Sequence, residues 1–244
     1  MSELLHNVRF HGETSEYRDA RNELLKKELE LRQQMEKIAA LRRSLPLGGK
    51  IKEDYVFEET TVGSSGKETI RQTKLSELFE NNKNSLLIYS FMYGPEMSDP
   101  CPSCSSFIDS MNGSASHLLQ RINLVIVAKS PISRITQWAK NRQWNSLRIL
   151  SSEKNTYNKD YFAETPEGNQ IPAINVFVKK DDNSQIHHFW NAEMLHVAMD
   201  EDPRHADLLW PIWNFFDLTP EGRGDFYPRL SYDKVIEIDK KKSQ

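Results

Sequence analysis

The chain holds two cysteines, three positions apart in Cys101-Pro102-Ser103-Cys104. A free thiol has a pKa of about 8.5, so it is mostly protonated at neutral pH and reacts slowly. A helix N-terminus changes this, because its unpaired N–H groups and macrodipole favour an anion and lower the thiol pKa. Pro102 suits a first helical position, since it has no N–H to lose and its φ is already helical. Cys104 then lies one turn in, within reach of the Cys101 sulfur. In that arrangement Cys101 attacks a disulfide and Cys104 resolves the mixed disulfide. Two other uses of the pair compete with this one. A zinc site needs about two further ligands. Of the neighbours His187 and His188 on an expected strand, only one could turn toward the cysteines. Two inert core thiols are the other alternative. The helix-start placement favours a redox dithiol.

A second clue is Gln170-Ile171-Pro172-Ala173-Ile174. Proline before a core strand is tolerated at the strand's first position or edge. A trans Pro172 opening a strand satisfies that rule. Beside a dithiol, a cis Ile171-Pro172 bond is the expectation.

These residues need elements to position them. Ser85–Tyr93 is a nearly continuous apolar run, the mark of a strand covered on both faces. Residues 94–100 form a turn-rich loop, and Cys101 follows where a helix begins. Apolar spacing is helical from Ser105 to about Arg121, with Asn112-Gly113 expected to interrupt or kink it. Asn123–Ala128 is a second buried strand, followed by a helix over 131–142. Short strands are expected at 147–150, 173–178 and 186–190, with a turn at Asp181-Asp182-Asn183 and an aromatic helix over 206–216. Upstream, Tyr55-Val56-Phe57 and Thr69-Ile70-Arg71 suggest a hairpin, and 75–79 a helical turn. Strands alternating with helices and closed by a hairpin indicate an α/β mixed sheet.

Residues 14–45 read as one long helix capped by Thr14 or Ser15, with Leu24, Leu25, Leu29, Leu31, Met35, Ile38, Leu41 and Leu45 as an apolar stripe. Glu23/Lys27 and Glu28/Arg32 are expected i,i+4 pairs. The helix is expected to pack on its own domain or pair with a second copy of the chain. The organisation is thus an arm over 1–50, a domain over 51–230 and a charged tail over 231–244.

The composition excludes several classes. In 244 residues, 38% are apolar and 10% aromatic, enough for a core, and no run approaches the length of a membrane span. The net charge of −3 gives no global attraction to nucleic acid. The N-terminal residues lack a secretory pattern, so the cytoplasm is expected, where a lone Cys pair is not a structural scaffold. Phosphate loops, His-Glu-x-x-His and nucleophile-elbow motifs are missing from the sequence. Neither a cofactor nor a metal is implied.

Residues Asp54–Phe57, Leu86–Pro95 and Cys101–Cys104 resemble an uncharacterised thioredoxin-like family of predicted dithiol-disulfide oxidoreductases. The resemblance resumes at His117-Leu118 and Val125–Ala128 and ends with Asp217–Arg223, covering roughly 14–225. It implies a thioredoxin-like mixed sheet flanked by helices, with a long N-terminal helical extension. It also implies a redox activity in which Cys101 attacks and Cys104 resolves. His187-His188-Phe189-Trp190 departs from the family's usual run on the last hairpin, and 191–209 from its short glycine-containing loop. The long loop before Cys101 resembles that of peroxiredoxins, and Ser98 occupies the Thr/Ser place three residues before the cysteine. A thiol peroxidase is therefore the alternative enzyme, and a thioredoxin-like binding module the alternative without catalysis. The expected partners are a protein or small-molecule disulfide and a cellular thiol reductant.

Overall fold

A computed structural model describes residues 6–63, 66–180, 185–197 and 209–232. The chain divides into two compact units, Met1–Pro46 and Leu47–Gln244. The first is built on helix α1, Ser15–Arg43. Thr14 caps it, its Oγ1 accepting from the Tyr17 N–H at 3.2 Å. Its charge pairs include Lys26–Glu23 and Lys27–Glu30, at i,i+3 rather than the expected i,i+4 spacing. Both spacings bring side chains to the same helix face. Leu25 and Ile38 are half-buried, whereas Leu24, Leu29, Leu31, Met35 and Leu41 are exposed.

The second unit contains a seven-stranded sheet in the order β2-β1-β5-β4-β3-β6-β7. In chain order the strands are β1 (Val56–Val62), β2 (Glu68–Lys74), β3 (Ser85–Phe91), β4 (Asn123–Ala128), β5 (Arg148–Ser151), β6 (Ala173–Lys179) and β7 (Ile186–Asn191). Helix α2 is Pro102–Leu118, α3 Ile132–Asn141, α4 Tyr157–Asp160 and α5 Pro211–Phe216. Strand β3 pairs parallel with β4 and antiparallel with β6, and β6 pairs antiparallel with β7. A β3-α2-β4 crossover followed by a β6-β7 hairpin and a closing helix is the thioredoxin-like arrangement. It is a mixed sheet flanked by helices, with α1 as an N-terminal helical extension.

Alternation along β3 divides the core in two. Tyr89 and Phe91 face Cys104, Phe107, Ile108, Ile135 and Trp213. Leu86 and Ile88 face Tyr55, Phe57, Tyr157 and Phe177. The six residues of β4 are all buried, because helices or loops cover both faces. Trp210 and Trp213 are core residues at 3% and 1% exposure, whereas Phe215 is exposed.

Several expectations differ from the structure. Helix α2 runs unbroken through Asn112-Gly113. Asn112 is held from outside by a bond to the Gln143 carbonyl at 3.3 Å and one from the Ser146 N–H at 3.2 Å. Strand β3 ends at Phe91 rather than Tyr93, where the Tyr93 N–H folds back on the Phe91 carbonyl at 2.8 Å. Helix α3 starts one residue later than 131, with Pro131 as its N-cap. Helix α4 and a 3-10 turn at Glu193–His196 are too short to leave a periodic signal. The turn at 181–183 and the first part of the expected helix over 206–216 lie outside the described residues, as does most of the charged tail.

Candidate functional site

The parallel strand β3 delivers the chain to the dithiol. After Phe91 the backbone turns through 92–100, and the Cys101 N–H returns to the Met92 carbonyl at 3.0 Å. This bond fixes Cys101 at the end of the central strand. Cys101 is the N-cap of α2, with φ −58° and ψ 125°, and Pro102 occupies the first turn. Its sulfur accepts from the Cys104 N–H at 3.4 Å, so one of the helix's unpaired donors points at the thiol. The Cys101 carbonyl takes the Ser105 N–H and hydroxyl, each at 3.0 Å.

The two thiols differ in surroundings. Neither is in a disulfide; Cys101 is half-buried and Cys104 is buried at 3% exposure. Burial pushes the Cys104 thiol well up, and the hydrogen bond and charge of Cys101 push it further. The Tyr89 hydroxyl and the Met92 backbone pull it the other way. Tyr89 is itself raised by burial and by Cys104, and its ring stands edge-on to Phe107 at 5.0 Å. The arrangement is ordered: a half-buried cysteine at a helix cap, and a second, buried one whose thiol ionises only with difficulty.

Of the other residues singled out from the sequence, Ser103 is half-buried and its hydroxyl has no partner among the described residues. Pro172 immediately precedes β6, whose first residue Ala173 pairs with Ser90 near the end of β3. It therefore lies at the sheet end from which the loop to Cys101 departs. The loop packs on this segment, since a Cβ at Gly94 would meet the Gln170 side chain at 2.9 Å. Ser98 is exposed, and its hydroxyl donates to Asp99 at 3.2 Å. The structure thus joins Cys101 to Cys104, puts Pro172 near the same sheet end, and gives the Ser98 hydroxyl a partner other than Cys101.

His187 and His188 are not brought to the cysteines. His188 lies opposite Phe177 and bonds Asn175, on the sheet face away from Cys104, and His187 reaches the Gly48 carbonyl. Among the described residues no group of three or more His, Cys, Asp or Glu is placed to hold a metal ion. None of the helices there is long and apolar enough to cross a membrane.

Sequence reasoning did not single out Arg134. From α3 its guanidinium donates to the carbonyls of Gly94 (3.3 Å), Pro95 (3.2 Å) and Ser98 (2.8 Å), and to that of Met97. It also lies 4.3 Å from the centre of the Tyr93 ring. Nothing in the spacing of α3 announces this, because its targets are backbone oxygens. Tyr89 could have been found, since it shares a strand face with Leu87 and Phe91. Replacing Arg134 by leucine is expected to release the 94–98 loop and cost about 1–3 kcal/mol. Proteolysis should then begin within 94–100, and an unchanged cleavage pattern with an unchanged melting temperature would refute the clamp.

The fold and site define a thioredoxin-like protein with a Cys-Pro-Ser-Cys dithiol at the start of its first crossover helix. Within that class the chain belongs to DUF899, a bacterial family of unknown function, whose model matches residues 8–240. No curated protein matches it. Similar solved structures include AhpC of Enterococcus faecalis, at 12% identity and a TM-score of 0.41, covering 57% of this chain and 77% of that one. Reduced Prx3 of Vibrio vulnificus in complex with H2O2 has the same identity and TM-score, covering 60% and 88%. Peroxidoxin BcpB of Mycobacterium tuberculosis shows 17% identity and a TM-score of 0.38, covering 68% and 94%.

Proposed function

We propose that the chain is a thiol-disulfide oxidoreductase in which Cys101 attacks and Cys104 resolves. The observation that carries this reading is the cap itself: the Cys101 sulfur accepts the Cys104 N–H at the start of α2. A donor aimed at the sulfur and the positive end of the helix both favour its thiolate. In the first step the Cys101 thiolate attacks one sulfur of a substrate disulfide. That S–S bond breaks, a mixed disulfide forms, and the released thiolate takes up a proton. In the second step Cys104 loses its proton and attacks the Cys101 sulfur. The second substrate thiolate leaves, and Cys101 and Cys104 remain joined, oxidised by two electrons. An external thiol reductant reverses the change. The partners required are therefore a disulfide-bearing protein or small molecule and a dithiol or thiol donor.

Equilibrating the protein in thiol-disulfide buffers tests this reading. A single two-electron transition is expected, with a tenfold change in the oxidised-to-reduced ratio per roughly 30 mV. The oxidised form should carry one intramolecular disulfide between Cys101 and Cys104. If the two thiols stay reduced throughout, or each is capped independently by buffer thiol, the proposal fails.

A further inference from the structure

A cavity opens on the sheet face away from the dithiol, and it does not depend on the redox reading. Its volume is about 540 Å³, and Tyr161, Phe162, Asn175, His188, Asn191 and Glu193 line it together with Asp160 and His196. That size falls within the range of small-molecule sites.

Hydrogen-bond bookkeeping gives the cavity a chemical character. Asn175 is 1% exposed; its amide donates to the Tyr161 carbonyl at 3.5 Å and its Oδ1 accepts from the Asn191 amide at 2.7 Å. The same oxygen faces His188 Nε2 at 3.0 Å, so Nε2 carries the proton and the ring is spent as a donor there. Burial lowers the His188 pKa and so favours the neutral ring, against the opposing charge of Glu193. Asp160 is committed to Lys52 at 2.8 Å, Tyr55 at 3.0 Å and Thr156 at 2.5 Å. Among the other lining groups, the carboxylate of Glu193 carries a formal negative charge. Asn191 Oδ1 is buried with no partner among the described residues, and the Glu193 carboxylate is exposed at the cavity.

The walls are aromatic. Tyr161 and His188 stack at 5.8 Å with an interplanar angle of 24°. Phe162 is 69% exposed with φ of +57°, a left-handed conformation that bulky side chains rarely adopt. Its ring meets His196 edge-on at 6.2 Å. An exposed aromatic held in a strained conformation at a cavity mouth is a reason to look for a ligand.

We infer that this cavity binds a small organic cation bearing N–H donors, of the primary ammonium class. Glu193 supplies the counter-charge and the acceptor for the N–H donors, and Phe162 the exposed ring face that attracts cations.

Binding of n-butylammonium to the full chain, followed by calorimetry and by amide shifts of residues 161–162 and 191–193, tests the site against n-butanol and butyrate. The ammonium is expected to bind, the alcohol and the acid at least tenfold more weakly. Glu193→Gln should weaken the ammonium about tenfold, the value of one charged hydrogen bond. Phe162→Ala should weaken it without unfolding the protein, because the ring is exposed. Nα-acetyl-lysine amide separates two sources of the same chemistry. If it binds more tightly than butylammonium, the ammonium is a peptide side chain; if more weakly, a free amine. Equal binding of butanol, an unaffected Glu193→Gln variant, or no ammonium binding at millimolar concentrations would overturn the site.

Discussion

Replacing Cys101 by serine is expected to reduce disulfide exchange to background, a loss on the order of 10³-fold or more. Replacing Cys104 by serine should give a different phenotype. Cys101 still attacks, but nothing displaces the bound substrate, so a mixed disulfide accumulates and is visible on a non-reducing gel. The asymmetry follows from the surroundings of the two sulfurs. Cys104 is buried, and a thiolate at Cys101 opposes its ionisation through both charge and hydrogen bonding. Once Cys101 is tied up in a mixed disulfide, its negative charge is gone and one cause of the raised Cys104 pKa goes with it. The Tyr89 hydroxyl and the Met92 backbone remain to favour the Cys104 thiolate. The resolving thiol is thus held back until the first step has occurred. Alkylation of the reduced protein at neutral pH should modify Cys101 first, and blocking Cys101 as a methyl disulfide should speed modification of Cys104. Trapping by Cys101→Ser instead of Cys104→Ser would reverse the assigned roles.

The parts of this site that are legible in the sequence are those set by local rules. Ser85–Tyr93 and Asn123–Ala128 read as strands because their apolar runs are covered on both faces, the first running two residues past the strand's end at Phe91. Cys101 reads as a cap because Pro102 accepts a first helical turn and because the preceding strand breaks at Gly94-Pro95. The sheet order is not legible, since joining β1 to β5 rests on a single registered pair, Glu58 with Ser151. The continuity of α2 through Asn112-Gly113 depends on Gln143 and Ser146, residues remote in sequence. The orientation of His188 depends on the bulge between Val176 and Phe177, which leaves Phe189 without a partner in β6 and puts His188 opposite Phe177. The Arg134 clamp acts on carbonyl oxygens, which every residue has and no side-chain pattern marks.

A further large effect is expected far from the thiols, at Glu59. This carboxylate is 4% exposed in β1 and receives Arg148 through two bonds of 2.7 and 2.9 Å. The Thr73 hydroxyl donates to it at 2.7 Å, and Arg71, its register partner on β2, donates through Nε at 2.8 Å. Burial alone would raise its pKa, but the bonds from Arg148 and Thr73 and the charge of Arg148 outweigh that and hold the carboxyl below the usual range. Removing one partner of a buried pair leaves the other charge uncompensated. Glu59→Ala is therefore expected to destabilise the fold by about 3 kcal/mol. For a unit of this size that lowers the melting temperature by roughly 6–12 °C. Arg71 is mostly exposed and its truncation should cost about 1 kcal/mol or less. Because the folded-state pKa of Glu59 is depressed, its contribution is complete above the ordinary glutamate value of about 4.3 and is lost as pH falls through the folded value. Thermal melts of wild type and Glu59→Gln should therefore converge as the pH drops below that range and separate above it. A constant gap across the acid range would mean that Glu59 acts through its shape and hydrogen bonds alone, independently of its charge.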